Sequence, residues 1–179
     1  MARPAQPPRN AYLVDTATLE TLDLMGAVAQ FIVGPDFGDT TPFVMRGTIP
    51  PGGIVPMHSH PDPETFCLVS GEMEALSVSD TGFEWLRLRP GDVFHVPPSA
   101  RHGFRNPGHE PAVSLITSTA TIGRFFREVG VPVAPDGPPP APPSRERVER
   151  FLRTAERYGH WNATPEENAR VGLHVPPPS

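Results

Sequence analysis

The residues of this chain that could perform chemistry are concentrated in one stretch, residues 52–71, with the sequence GGIVPMHSHPDPETFCLVSG. His58 and His60 are one residue apart, and successive side chains of a strand alternate between its two faces, so both imidazoles are expected on the same face. Residues 61–63 carry two prolines, which cannot donate to a sheet ladder. We therefore predict a turn there that returns the carboxylate of Glu64 to the two imidazoles.

A second stretch, residues 91–106 (GDVFHVPPSARHGFRN), offers a fourth group, His102, just after a Pro-Pro turn between apolar runs. Three imidazoles and one carboxylate suit a divalent transition metal ion, because they combine nitrogen and oxygen donors. We therefore predict a metal site formed by His58, His60, Glu64 and His102. This donor set accepts iron, manganese, nickel, copper and zinc alike, so the identity of the metal stays open.

These two stretches resemble the paired motifs of the cupin superfamily. The first motif, G(X)5HXH(X)3-4E(X)6G, is matched in full by Gly52, His58, His60, Glu64 and Gly71. The second motif, G(X)5PXG(X)2H(X)3N, is matched by Gly91, Pro97, His102 and Asn106, with Ser99 in place of the usual glycine. Serine tolerates a positive φ less well than glycine, so this departure affects the turn and leaves the metal ligands unchanged. The resemblance implies a cupin jelly-roll β-barrel, also called a double-stranded β-helix.

Length and composition are consistent with one barrel that carries tails. A chain of 179 residues predicts a single domain, and a hydrophobic content of 37% without a run of about 18 apolar residues predicts no membrane span. The start of the chain lacks a basic-then-apolar signal peptide, so the predicted location is the cytoplasm. The net charge of -5 without a basic cluster argues against a nucleic acid partner. The single Cys67 cannot form an internal disulfide and is predicted to be a small buried thiol.

The chain divides into four predicted segments: an N-terminal arm (residues 1–17), the cupin barrel (18–130), a proline-rich linker (131–143) and a helical tail (144–179). Within the barrel, short apolar runs separated by glycine, proline and asparagine predict many short strands, and ATIGRFFREVG (residues 120–130) is counted among these strands. The linker holds seven prolines, which predict an extended spacer that forms neither helix nor ladder.

Two short helices are predicted in the tail. Ser144 can cap a first helix that ends at Tyr158 and docks one apolar face elsewhere on the protein. That face consists of residues that recur at three- and four-residue intervals: Val148, Phe151, Leu152, Ala155 and Tyr158. Thr164, Pro165 and Glu167 match a capping box with proline at the first helical position, which predicts a second helix. The predicted fold class is therefore all-β with short C-terminal α-helices.

The order of elements also resembles that of bacterial single-cupin quercetin 2,3-dioxygenase-like proteins over most of residues 18–160. One barrel is followed by a predicted apolar strand that ends with RFFREVGVPV (residues 124–133), then by a proline spacer and a terminal helix. Such relatives often have four residues between the second histidine and the glutamate, where this chain has three, and both lengths occur among cupins. The resemblance implies a metal-dependent dioxygenase in which the ligand glutamate, here Glu64, also takes a proton from the substrate.

Four residues near the ligands are assigned to the substrate pocket: Phe66, Leu68, His95 and Phe104. Ordinary core packing explains the two phenylalanines and the leucine equally well, and His95 is predicted to be a core or pocket histidine rather than a fifth ligand. The remaining histidines, His109, His160 and His174, lie in turn-rich or terminal sequence and are predicted to be exposed or to serve packing.

The predicted function is that of a metal-dependent dioxygenase whose small substrate reaches the metal through an enol or carbonyl oxygen. Four protein ligands leave roughly two positions of an octahedral shell for substrate and for dioxygen or water. Two alternatives stay open: an isomerase or lyase that uses the metal only as a Lewis acid, and a non-catalytic small-molecule-binding module. Apolar residues around the motifs favour an aromatic or otherwise hydrophobic ligand. A homodimer is predicted because cupin barrels commonly pair through their outer sheet, and no membrane partner is expected.

Overall fold

The computed structural model describes residues 10–34, 42–134 and 141–177. The strands are β1 (Thr21–Leu24), β2 (Ala27–Val33), β3 (Phe43–Ile49), β4 (Ile54–Ser59), β5 (Glu64–Ser70), β6 (Met73–Ser79), β7 (Gly82–Leu88), β8 (Val93–Val96), β9 (His102–Arg105), β10 (Ala112–Ser118), β11 (Val131–Pro132) and β12 (Trp161–Asn162). The helices are α1 (Ala120–Val129), α2 (Arg145–Arg157) and α3 (Pro165–Arg170). Most of the predicted arm (1–9) and the middle of the predicted linker (135–140) lie outside the described residues.

The strands form two antiparallel sheets. The first has the order β11-β1-β2-β3-β10-β5-β8, and the second has the order β12-β4-β9-β6-β7. From β3 to β10 the chain passes back and forth between the sheets, because β3, β5, β8 and β10 belong to the first sheet and the other strands of this segment belong to the second. Repeated crossing between two antiparallel sheets is the jelly-roll arrangement. The predicted all-β barrel with short C-terminal helices is confirmed.

The alternation of side chains along β5 shows how the barrel is filled. Glu64, Phe66 and Leu68 point inward and are at most 6% exposed, whereas Val69 lies on the outer face and is 58% exposed. The ring of Phe66 lies 4.5 Å, centroid to centroid, from that of Phe104 in the opposite sheet. The inner faces of the two sheets therefore share one hydrophobic core, and the charged Glu64 lies at the edge of that core where β5 begins.

Residues 120–129 form the helix α1, so the prediction of a strand over residues 120–130 is wrong. Ile122, Phe125 and Val129 recur at helical spacing and are at most 3% exposed, which satisfies a period of 3.6 better than a period of 2. The β-branched and aromatic composition of this run favoured a strand, and tertiary packing overrode that preference. Gly123 permits close packing on β3, since a Cβ atom there would lie 2.8 Å from the ring of Phe43.

The predicted linker begins with a strand, which corrects the expectation that it forms no ladder. Val131 and Pro132 of β11 pair with Asp23 and Leu22 of β1 at the edge of the first sheet. An edge strand tolerates proline because one of its sides needs no hydrogen-bond donor. The barrel sheet therefore continues into the segment that the sequence assigned to the linker.

Both predicted tail helices are present, and the first docks on α1. Ser144 caps α2 by accepting a hydrogen bond from the backbone of Arg147, and Thr164 and Glu167 form the predicted capping box of α3. The rings of Phe125 and Phe151 lie 5.6 Å apart between the two docked helices. The docked face differs from the predicted one at two positions: Leu152 is 45% exposed, and Thr154 is buried. None of the helices in the described part of the chain is long and apolar enough to cross a membrane.

Candidate metal centre

An irregularity in the pairing of β4 decides which way its histidines face. Val55 pairs with Phe104 of β9, but the next paired residue is His58, opposite His102. β4 thus advances three residues while β9 advances two, which defines a β-bulge. The extra residue reverses the alternation, so that Val55 packs against the barrel core, Met57 packs in a separate cluster on the outer face, and His58 faces the barrel interior.

The turn predicted at residues 61–63 returns the chain to the first sheet, where Glu64 begins β5. The backbone N–H of Ser99 donates to the carbonyl oxygen of His60 at 2.7 Å and connects this turn to the second motif. Ser99 has a φ of 64°, the left-handed conformation that glycine usually supplies at this motif position. The departure from the motif therefore changes the residue type and keeps the turn conformation.

Each of the three predicted histidine ligands is oriented by a backbone carbonyl. The Nδ1 atoms of His58, His60 and His102 lie 2.8, 2.8 and 2.9 Å from the carbonyl oxygens of Pro56, Asp62 and Ala100. A carbonyl only accepts hydrogen bonds, so Nδ1 carries the proton and Nε2 presents its lone pair to the interior. The ligand nitrogens of the three rings lie within 4.8 Å of one another. Three histidines are thus positioned to bind one metal ion.

Glu64 completes the cluster. Its carboxylate is nearly fully buried, and its Oε2 atom lies 3.2 Å from Nε2 of His60 and 3.7 Å from Nε2 of His102. Its Oε1 atom and Nε2 of His102 have no hydrogen-bond partner among the described residues. With the protons on Nδ1, the facing nitrogen and oxygen atoms are all lone-pair donors, and such atoms approach each other in a buried site only with a cation between them. A metal ion fits this requirement, and so does a proton shared by His60 and Glu64.

The protonation of the cluster in the metal-free protein follows from burial and from this contact. Burial alone would raise the pKa of Glu64, but the neighbouring imidazoles of His102 and His60 favour the ionised carboxylate more strongly and lower the pKa to about 2. Burial alone would lower the pKa of His60, but the hydrogen bond and the charge of Glu64 outweigh it and raise that pKa. The pKa of His58 is well below its ordinary value, because of burial and the neighbouring His102 and His60. An ionised carboxylate and neutral imidazoles are the forms that bind metal.

Three of the four predicted pocket residues lie on the inner face beside the ligands. The ring of Phe104 lies 5.8 Å from that of His102, the ring of Phe66 packs at an angle against Phe104, and Leu68 is fully buried in the same core. Phe94, which the sequence prediction did not include, lies 5.8 Å from Phe104. These aromatic rings form an apolar wall on one side of the histidine cluster.

His95 does not join that wall, which corrects its assignment to the pocket. It pairs with Thr65 across β5 and β8, while the neighbouring pair is Glu64 with Val96. Because side chains alternate, Val96 shares the inward face of Glu64, and His95 lies exposed on the outer face. Its Nδ1 atom lies 2.9 Å from the hydroxyl of Thr65.

His160 is a residue of the site that the sequence prediction missed. Its ring lies 5.3 Å from that of His60 and 4.3 Å from that of Phe125, so it is neither exposed nor remote from the cluster. Burial, followed by the neighbouring His60, lowers its pKa to about 4. The other two histidines outside the motifs, His109 and His174, are exposed, as predicted for terminal and turn-rich sequence.

The C-terminal tail places His160 there by pairing with the ligand-bearing strand. Trp161 and Asn162 of β12 pair with Ser59 and His58 of β4. On the outer side of β4, the buried side chain of Asn168 accepts a hydrogen bond from the backbone N–H of Met57 at 2.8 Å. No local pattern in the sequence signals this docking, because it depends on contacts between residues about one hundred positions apart.

A surface cavity of about 350 Å³ lies at the hairpin between β6 and β7. Its lining is mostly polar and comprises Ser77, Ser79, Thr81, Gly82, Phe83 and Glu84. Ser77 is the cross-strand neighbour of His102 on the same face of the second sheet. The hydroxyl-lined cavity therefore extends to a residue that is the cross-strand neighbour of His102.

Comparisons with known proteins agree with this fold. Residues 45–118, which include all four predicted ligands, match the cupin domain family. Germin-like protein 1 from Brassica napus is 34% identical over 101 residues, which are 55% of this chain and 47% of that protein. The chain thus spans about half the length of this relative. The match supports the resemblance to the cupin superfamily, while the resemblance to quercetin 2,3-dioxygenase-like proteins stays a prediction.

Two solved structures share the fold. The polyketide cyclase RemF from Streptomyces resistomycificus has a TM-score of 0.53 and 15% identity, over 62% of this chain and 80% of that chain. A protein with a double-stranded β-helix domain from Klebsiella pneumoniae has a TM-score of 0.50 and 19% identity, over 62% of this chain and 91% of that chain. At these identities the likeness concerns the barrel.

Proposed function

We propose that the cupin domain at residues 45–118 holds one divalent transition metal ion, and that the protein is a metal-dependent dioxygenase for a small enol-bearing or aromatic substrate. The observation that carries this proposal is the convergence of three oriented imidazoles and one ionised carboxylate on one buried point. Iron, manganese, nickel, copper and zinc all accept this donor set. When bound, a redox-active ion of this group would supply the Lewis acidity and the electron transfer that side chains cannot.

The residues of the chain divide the remaining work. His58, His60 and His102 would hold the metal through Nε2, and their carbonyl-bound Nδ1 atoms keep the rings in the orientation that this requires. Glu64 has two oxygens in the site, so one can bind the metal while the other accepts a proton from the substrate hydroxyl. The wall formed by Phe66, Phe94 and Phe104 excludes water and offers aromatic surface to a flat substrate.

A second candidate function is that of a metal-dependent isomerase or lyase for a polar substrate. The observation that favours it is the hydroxyl-lined cavity, which reaches Ser77 beside His102. Polar substrates need many paired polar groups, and the β6–β7 hairpin supplies them where the phenylalanine wall does not. In this case the metal would act only as a Lewis acid.

Oxygen uptake by metal-loaded protein tests the proposal. We expect uptake of one dioxygen per substrate when protein loaded with iron, manganese, copper or nickel is mixed with quercetin, an aromatic enol, or with acetylacetone, a small non-aromatic one. Zinc-loaded protein is the matched control, because zinc has no redox chemistry and should give no uptake. Conversion of substrate by the zinc form without uptake would support the isomerase or lyase instead. Substrate binding without conversion by any form would support a non-catalytic binding module.

We further propose that the protein is a homodimer that pairs through the outer face of the first sheet. Val69, Val93 and Leu115 are 58%, 64% and 39% exposed on adjacent strands of that face. Cys67, predicted to be buried, lies half-buried between them, paired with Val93 on one side and Leu115 on the other. A second copy would cover this apolar surface and remove it from water.

The cytoplasmic location stays a prediction.

Light scattering coupled to size-exclusion chromatography tests the dimer. Wild-type protein at micromolar concentration is expected to have the mass of two chains, and Val93→Arg is expected to shift it to one. Leu13→Arg is the control, since Leu13 is 96% exposed and lies outside the sheet, and it should leave the dimer intact. A wild-type monomer, or a dimer that survives Val93→Arg, would contradict the proposal.

A further inference from the structure

The side chain of His160 occupies a position that packing alone does not explain. Its ring is packed between Phe125 of α1 and His60 at the metal centre, with centroid distances of 4.3 and 5.3 Å. Its Nε2 atom is buried and has no hydrogen-bond partner among the described residues. A buried polar atom without a partner costs free energy, so an apolar side chain would stabilise the same contact with Phe125 better. The unpartnered nitrogen therefore calls for a ligand that completes its hydrogen bonding.

The backbone on both sides of His160 is held firmly. The N–H of His160 donates to the carbonyl oxygen of Ala155 at 2.9 Å, where α2 ends. The next two residues form β12 and pair with β4, directly beside the ligand His58. Gly159 makes the connecting turn with a φ of +77°, which a residue with a side chain rarely adopts. The ring therefore keeps its place beside the cluster with little freedom to move.

We propose that His160 is a ligand-contacting residue, delivered by the C-terminal tail, whose Nε2 atom hydrogen-bonds to the non-protein ligand at an open coordination position of the metal. The chemical class that fits is a small anionic donor, such as the enolate or carboxylate oxygen of a substrate. This inference rests on the proposed metal centre. It adds a fifth residue to the site and makes the C-terminal tail part of it.

Azide is the probe for this hydrogen bond, because it is a small anion that binds open metal positions. Protein loaded with cobalt(II) is titrated with azide, and binding is followed by the visible absorption of the metal. His160→Phe keeps a ring against Phe125 and removes both nitrogens, so we expect azide to dissociate about tenfold more readily while one cobalt per chain is retained. His160→Gln places an amide N–H near the position of Nε2 and should restore most of the affinity. His160→Asn places its amide near Nδ1 and should not.

The matched control is His109→Phe, since His109 is an exposed histidine in a turn and this variant should bind azide with wild-type affinity. Equal azide affinity in wild type and His160→Phe, or in the Gln and Asn variants, would overturn the proposal and leave a packing role. Loss of cobalt from His160→Phe, with its circular dichroism unchanged, would also overturn it, because His160 would then be a metal ligand. Failure of the wild type to bind cobalt would refute the proposed metal centre itself. If the phenylalanine variant does not fold, the difference in azide affinity between the Gln and Asn variants distinguishes a ligand contact from a packing role.

Discussion

His102→Ala is expected to lower the affinity for a divalent transition metal by at least about a hundredfold, because loss of outer-shell partners alone costs up to that much. His102 is 1% exposed and stands opposite His58 in the β4–β9 ladder, so its ring is held inside the cluster by the strand that carries it. Its loss would leave Glu64 and two imidazoles, a weaker set for every metal considered. Metal content after dialysis, with competition against a chelator for the affinity, measures the effect.

The control for this variant is His95→Ala, which removes an exposed histidine from the strand preceding the second motif's turn. It should keep one metal per chain, because His95 faces away from the cluster and contacts Thr65. Stoichiometric metal in His102→Ala at wild-type affinity would show that His102 is not a ligand. Equal losses in both variants would point to a folding defect rather than to a lost metal bond.

Glu64→Gln is expected to lower the turnover of the metal-loaded protein by about a hundredfold, the lower end of what a general base contributes. The low pKa of Glu64 keeps its carboxylate ionised at neutral pH but makes it a weak base. Such a weak base would accept the proton of a substrate hydroxyl only if a bound cation made that hydroxyl more acidic. Glutamine keeps the size and one donor oxygen and removes the basic carboxylate. The measurements are metal content, turnover rate and the pH profile of the rate.

Glu72→Gln is the control for the charge change, because Glu72 is an exposed carboxylate that pairs with Arg87 on the protein surface. It should bind metal and turn over substrate like the wild type. Wild-type turnover with an unchanged pH profile in Glu64→Gln would refute the base assignment and leave a ligand role. Loss of the metal from Glu64→Gln would instead show that the carboxylate is required to hold the ion.

The convergence of the four candidate ligands could be predicted from the sequence because it depends on short segments of the chain. His58 and His60 share a face at a spacing of two, and two prolines in residues 61–63 end the strand and return Glu64 to the barrel. His102 follows its own turn after Pro97. The two tail helices could also be predicted from short segments. A helix cap and the spacing of apolar residues along a helix are both visible in the local sequence.

Tertiary structure decided the direction in which these groups face. A spacing of two residues puts His58 and His60 on one face of β4 but does not tell whether that face points into the barrel. The bulge between Val55 and His58 turns it inward. The sequence prediction assigned His95 to the core or the pocket, whereas its register with Thr65 puts it on the outer face. Residues 120–129 form a helix because three apolar side chains are buried together at helical spacing, although their composition favours a strand.

The position of His160 lay furthest from what the sequence could indicate. The amino-acid sequence determines that a helix ends near Tyr158 and that another begins after Thr164, and nothing local says where the residues between them bind. Those residues lie beside the histidine cluster because β12 pairs with the edge of β4, about one hundred positions earlier in the chain. Strand pairing over such a separation is set by whole surfaces that fit together rather than by spacing, so only the folded chain brings this histidine to His60.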